Sequence, residues 1–262
     1  MTPERLQEVR EAVQEADGVV ILTGAGVSAE SGIPTFRDPG GVWARYRPED
    51  LATPGAFSRD PRTVWEWYDF RRRTVLACTP NPGHEAIAGL LLQRSDATLV
   101  TQNVDGLHQR ALEEARAREA KPNDEPLPDI LELHGNLLRV RCTVCRMRAD
   151  HREPIRTEGV DTLPRCPDCG ALLRPDVVWF GEMLNSATLE ASFTAAASAQ
   201  ICLVVGTSAV VHPAAGVPVA TLQAGGDLVE VNPTTTPLSG RARWTFRAPS
   251  GQVLPEILAA PD

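Results

Sequence analysis

Four short apolar runs stand out along the chain, at 18–23 (GVVILT), 98–102 (TLVTQ), 201–205 (ICLVV) and 228–231 (LVEV). They are rich in β-branched residues, continuous rather than alternating, and closely followed by Gly, Asn or Pro. That is the pattern of parallel strands buried on both faces. Helical patterns lie between them, at 84–93, 187–199 and 214–223. The alternation predicts an α/β fold with a doubly wound, parallel Rossmann-type sheet to which both ends of the sequence belong. Residues 1–17 carry spaced Leu and Val among charges, so they predict an amphipathic helix rather than a leader.

Two stretches break the alternation. Residues 41–79 gather aromatic side chains around 65–73 and read as helical, whereas 138–175 hold four paired cysteines and little apolar mass. Both predict insertions forming a smaller module, which leaves 1–40, 80–137 and 176–262 to the main sheet. The charged, proline-containing stretch 113–128 predicts a loop.

Composition narrows the function. The 262 residues carry a net charge of -8, with Lys121 the single lysine. That balance speaks against nucleic acid, whose phosphates call for clustered Lys and Arg. No apolar run approaches a membrane span, so a cytoplasmic protein is expected.

Cys142-x2-Cys145 and Cys166-x2-Cys169 are separated by twenty residues, which is zinc-ribbon spacing. Four thiolates fill a tetrahedral shell and leave no position for water, so this zinc is expected to be structural. Cys78 and Cys202 read as ordinary buried cysteines.

After the first strand comes Gly24-Ala25-Gly26-Val27-Ser28-Ala29. It matches the strand–GxGxx(G/A)–helix fingerprint, in which glycines let backbone N–H groups approach a pyrophosphate; a plain structural turn is the competing reading. A dehydrogenase would place an acid at the end of the second strand, but that strand ends in Thr101-Gln102-Asn103. Beyond the loop, a Gly–Ile–Pro break cuts the helix short and delivers Phe36 and Arg37 to the cofactor's far end. Among five histidines, His151 reads as solvated, His84 as support for a helix start and His212 as structural. His108 and His134 stand equal as acid/base candidates.

A wider set of motifs breaks the tie. Residues 24–43 (GAGVSAESGIPTFRDPGGVW), 101–105 (TQNVD), 133–135 (LHG), the paired cysteines, 178–182 (VWFGE), 206–208 (GTS) and Val231-Asn232 together resemble the sirtuin family across nearly the whole chain. The resemblance implies NAD-dependent removal of acyl groups from protein lysines, with NAD consumed, giving nicotinamide, free lysine and O-acyl-ADP-ribose. It implies His134 as general base, and Asn103 and Asp105 as holders of the nicotinamide amide. Gly24, Ala25, Gly26, Ser28, Ala29, Glu30, Phe36, Arg37, Trp43 and Gln102 would line the cofactor. Gly206, Thr207 and Ser208 would cradle ribose and phosphate, Asn232 the adenosine ribose, and Ser250 the adenine. Residues 178–182, including Val178, Gly181 and Glu182, would take the acyl-lysine peptide as an added strand.

Tyr68 and Arg71 share one helix face at i,i+3. By themselves they read as a core phenol and part of a solvated arginine face. The resemblance to class III sirtuins, which remove succinyl and malonyl groups, implies instead a receptor for an acyl carboxylate, with Ala52 widening the channel. Mono-ADP-ribosyl transfer and a non-catalytic zinc-ribbon protein are the alternatives.

Overall fold

The computed structural model describes residues 2–35, 47–118 and 126–260. Six parallel strands form the main sheet: β1 (Val19–Thr23), β2 (Ala97–Thr101), β3 (Ile130–Glu132), β7 (Ile201–Val205), β8 (Asp227–Val231) and β9 (Trp244–Phe246), in the order β3-β2-β1-β7-β8-β9. The four apolar runs became its four inner strands. β3 and β9 are three-residue edge strands without such a run.

Period-two alternation sends strand side chains to two separate cores. Val19, Ile21, Leu99, Leu203 and Val229 meet α1 (Pro3–Glu15), α5 (Pro82–Gln93), α6 (Leu107–Ala117) and α9 (Ser250–Ile257). Val20, Leu22, Val100, Cys202 and Leu228 meet α7 (Ser186–Ser198) and α8 (Val217–Gln223). The first turn expected in α8 is 3₁₀ instead, Ala214–Gly216. The loop expected at 113–128 is corrected in its first part. Helix α6 runs on to Ala117, because Ala111 and Leu112 anchor it in the core and Arg110 pairs with Glu114 at i,i+4.

The smaller module unites the two insertions. Helices α2 (Pro48–Leu51), α3 (Pro54–Arg59) and α4 (Pro61–Ala77) pack against an antiparallel sheet, β5-β4-β6, made from β4 (Gly135–Cys142), β5 (Arg148–Asp150) and β6 (Leu173–Val177). One apolar cluster joins them, with Val64, Trp65 and Tyr68 of α4 against Leu137, Val140, Leu173 and Val177. The Trp65 indole N–H donates to the Leu173 carbonyl at 3.0 Å. β4 begins at Gly135 and β6 ends at Val177, so this sheet reaches a few residues past the expected boundaries. Among the described residues no helix is long and apolar enough to cross a membrane.

Candidate active site

Chain order reverses at β1: β2 and β3 lie on one side, β7 to β9 on the other. Open α/β sheets bind ligands at the carboxyl ends of strands beside such a switch point. Here the loops after β1 and β7 touch. Gly26 N–H donates to the Gly206 carbonyl at 2.8 Å, and a Cβ on Gly26 would lie 2.8 Å from the Gly206 Cα. Only glycine permits that approach. Thr207 is tied in from both sides: Gln102 Nε2 donates to its hydroxyl at 2.9 Å, and Asn232 Nδ2 to its carbonyl at 2.7 Å. Gly24, Gly26, Gln102, Gly206, Thr207 and Asn232 therefore share one rim, with Ser208 exposed beyond it.

Ala25, Ser28 and Ala29 lie in a single 3₁₀ segment, Ala25–Ser31, which stops at Gly32 in the left-handed conformation. Ser28 Oγ donates to Asp105 at 2.8 Å and accepts from Asn103 Nδ2 at 3.1 Å. His84 Nε2 lies 3.3 Å from the same oxygen, and the Asn81 N–H donates to His84 Nδ1 at 3.3 Å. Those partners fix a neutral imidazole protonated on Nε2, and burial pushes its pKa down to about 4. Burial also pushes the Asp105 carboxyl up. His84 thus belongs to the polar cluster as well as to the helix start. Its place three residues after Asn81 gave only the capping signal.

The two rival histidines separate clearly. His108 is buried, with Nε2 3.0 Å from the Thr23 hydroxyl, and burial holds its pKa well below 6.5. His134 is half-buried at the crevice, with Nδ1 3.0 Å from the Gln102 carbonyl oxygen. A carbonyl only accepts, so Nδ1 carries the proton and Nε2 holds the lone pair. Burial lowers the His134 pKa, which keeps the ring neutral near pH 7. His134 also accepts the Val178 N–H on its carbonyl at 2.9 Å, which ties the base to the 178–182 loop.

That loop is a correction. Residues 178–182 are not a strand: the backbone turns at Phe180–Gly181, with Gly181 at φ 86°. A long-range ion cluster forces the turn. The Glu182 carboxylate takes Arg174 at 2.6 Å, Arg141 at 2.9 Å and the Trp179 N–H at 2.8 Å. Glu182 thereby closes the loop from within. Phe180 N–H donates to the Ala52 carbonyl at 3.0 Å, placing Ala52 beside it.

Tyr68 and Arg71 do lie together. Tyr68 is buried and its hydroxyl accepts from Trp179 Nε1 at 2.9 Å. The Arg71 guanidinium sits 4.7 Å from the Trp67 ring centroid and 5.7 Å from that of Tyr68. Burial raises the phenol's pKa and lowers the guanidinium's. The solvated-face reading of this arginine is not what the structure adopts.

Cys142, Cys145, Cys166 and Cys169 bring their four Sγ atoms within 4.8 Å of one another. Zinc–thiolate bonds of about 2.3 Å in a tetrahedron put sulfurs roughly 3.8 Å apart, so the set fits zinc. A model of the Sir2 family matches residues 24–213. The chain belongs to the Sir2 family.

Its relatives include an NAD-dependent protein deacylase of Pyrococcus furiosus, 44% identical over 97% of this chain and 96% of that one. NAD-dependent protein deacylase 1 of Pseudomonas aeruginosa is 46% identical over 97% and 98%. A solved Sir2 homologue–NAD complex superposes with a TM-score of 0.83 at 42% identity, covering 98% of this chain and 93% of that one. A Sir2 protein bound to acetylated peptide scores 0.81 at 28% identity, with 98% of both chains covered.

Within this Sir2 chain three expected cofactor residues, Phe36, Arg37 and Trp43, lie outside the described residues. Glu30, expected to line the cofactor, also caps a helix. Its carboxylate accepts the Gly251 N–H at 2.8 Å and the Ser250 hydroxyl at 3.2 Å, capping α9, where the helix dipole favours an anion. His151, expected to be solvated, is half-buried, with Nδ1 3.1 Å from Arg72 Nη2.

Proposed function

We propose that this Sir2-family enzyme uses NAD to remove acyl groups from protein lysines, with a preference for acyl chains that end in a carboxylate. The enzyme class follows from the family. The observation that carries the preference is the pairing of buried Tyr68 with half-buried Arg71, beside Trp179 and Ala52. The Tyr68 oxygen already accepts from Trp179, so its own proton can be donated to a carboxylate. Arg71 supplies the charge that such a ligand needs once stripped of water. Succinyl- and malonyl-lysine fit this chemistry, and acetyl-lysine enters the same channel without using it.

NAD would lie along the rim from Asn232 through Thr207 and Gly24 to Asn103 and Asp105, and it supplies the labile glycosidic bond. The chain's own residues do the rest. Asn103 and Asp105 present one amide and one carboxyl side chain to a carboxamide. His134 receives a ribose hydroxyl proton on Nε2, while Nδ1–H stays with the Gln102 carbonyl and fixes the ring. The 178–182 loop, anchored to His134, would hold the peptide through its backbone. Closed thiolate coordination keeps zinc out of the chemistry. Thiolates reserved for metal and an NAD supply suit a cytoplasmic setting.

NAD-dependent turnover compared across acetyl-, malonyl-, succinyl- and glutaryl-lysine peptides tests the reading. Replacing Tyr68 with Phe and Arg71 with Met is expected to cut turnover of succinyl-lysine far more than of acetyl-lysine. Equal losses on both would contradict the carboxylate assignment.

A further inference from the structure

The outer face of the small sheet carries a row of like charges. Arg141 of β4 lies directly opposite Arg148 of β5 and Arg174 of β6. Directly opposed like charges repel across a sheet, and although Glu182 and Asp176 offset these three arginines, the surrounding surface keeps an excess of positive charge. An open groove of about 940 Å³ runs along it, lined by five arginines (139, 141, 146, 148 and 174) against three carboxylates (132, 176 and 182). The carboxylates are already engaged: Glu132 by Arg139, Asp176 by Arg139 and Arg148, Glu182 by Arg141 and Arg174. Arg146 is exposed and has no carboxylate partner among the described residues, and the buried Arg174 Nε has no acceptor among them. A net positive groove thus lies on a protein of charge -8. Val178, Trp179 and Met183, from and just after the peptide loop, line the same groove.

We propose that this arginine row binds acidic side chains of the protein substrate near the acyl-lysine, so that the enzyme favours acyl-lysines set among aspartate and glutamate. The proposal rests on the deacylase reading for its lysine, while the binding it asserts can be measured without turnover. Arginine's planar fork suits carboxylates, and several such contacts at a half-exposed face give selectivity rather than tight binding.

The test uses succinyl-lysine peptides flanked by glutamates, serines or arginines, with wild type and the double variant Arg146→Asn, Arg148→Gln. Asn is chosen because residue 146 sits at φ 62°, which Asn tolerates. In wild type the glutamate-flanked peptide is expected to exceed the serine-flanked one by roughly three- to tenfold in kcat/KM, the worth of one or two surface ion pairs. Molar salt should erase the gap. The variant should lose the gap and turn over the serine-flanked peptide at the wild-type rate. Should the variant lose zinc, the pair Arg139→Gln, Arg148→Gln carries the same test. Equal treatment of glutamate and serine flanks by wild type, or a preference that survives in the variant, would overturn the proposal. If no acyl peptide turns over, the deacylase reading fails alone. Binding of a fluorescent, acyl-free glutamate peptide to wild type and variant then decides the row on the same terms. Duplex DNA that binds more tightly than that peptide, and loses binding in the variant, would assign the row to nucleic acid and end the proposal.

Discussion

The guanidinium of Arg72 in α4 donates to the Leu137 carbonyl in β4 at 2.8 Å. The same buried group donates to the carbonyls of His151 and Glu153, across the zinc ribbon from the helices. Beside it, Asp69 accepts the Ile155 N–H at 2.8 Å. One turn of helix thus satisfies backbone groups that the ribbon itself leaves open, adding polar ties to the apolar cluster that joins the two insertions.

Replacing Arg72 with Met should therefore lower unfolding stability by about 3–5 kcal/mol, the range for breaking a buried charged network. Lysine should not restore it, since one ammonium cannot reach carbonyls on both sides. Urea unfolding measures this; a wild-type midpoint in the Met variant contradicts the role.

His134 must be neutral to act as a base, and burial holds its pKa below 6.5. The kcat/KM profile should stay level through neutrality and fall only as pH drops below that ordinary value. Replacing His134 with Gln should cost roughly 10²- to 10⁴-fold in turnover with the fold retained. An acid limb well above pH 6.5 would place the titrating group elsewhere.

His84, with its pKa pushed down to about 4, resists a proton that the unfolded chain accepts near 6.5. Its neutral form is favoured by folding, so stability is full above 6.5 and declines as pH falls toward 4. The loss expected over that window is about 2–3 kcal/mol. His84→Gln should flatten the pH dependence of the urea midpoint, and an unchanged slope would refute this assignment.

Zinc removal should loosen the small module first. Cys142 and Cys166 pack in the same cluster as Trp65 and Trp179. Replacing Cys169 with Ser should abolish stoichiometric zinc and shift tryptophan emission to the red, while the main sheet keeps its circular dichroism. A variant that keeps wild-type emission after losing zinc would show that the module stands without the metal.

The inner strands were legible because burial on both faces demands uninterrupted apolar residues, as in 201–205. β3 and β9 were not, since three residues at a sheet edge need no such run. The apolar residues of 178–180 mimic a strand, and nothing local says that Glu182 will be drawn back onto Arg174 and Arg141. The thiolate set was readable from spacing alone. The choice between His108 and His134 was not, because both follow strand ends. A carbonyl 32 positions away, that of Gln102, decides the proton's place on His134. The contact of Glu30 with α9 was not legible either, because Ser250 and Gly251 lie some 220 positions away.

The central position of β1 also bears on biosynthesis. This strand leaves the ribosome about 180 residues before β7, yet Val19 pairs with Ile201 as well as Ala97. Until β7 emerges, its β7-facing edge leaves backbone N–H and C=O groups unpaired, on a strand whose first four side chains are apolar. Growing chains of this protein should therefore depend on holding chaperones until residue 205 has emerged, and fragments ending before it should clump rather than fold.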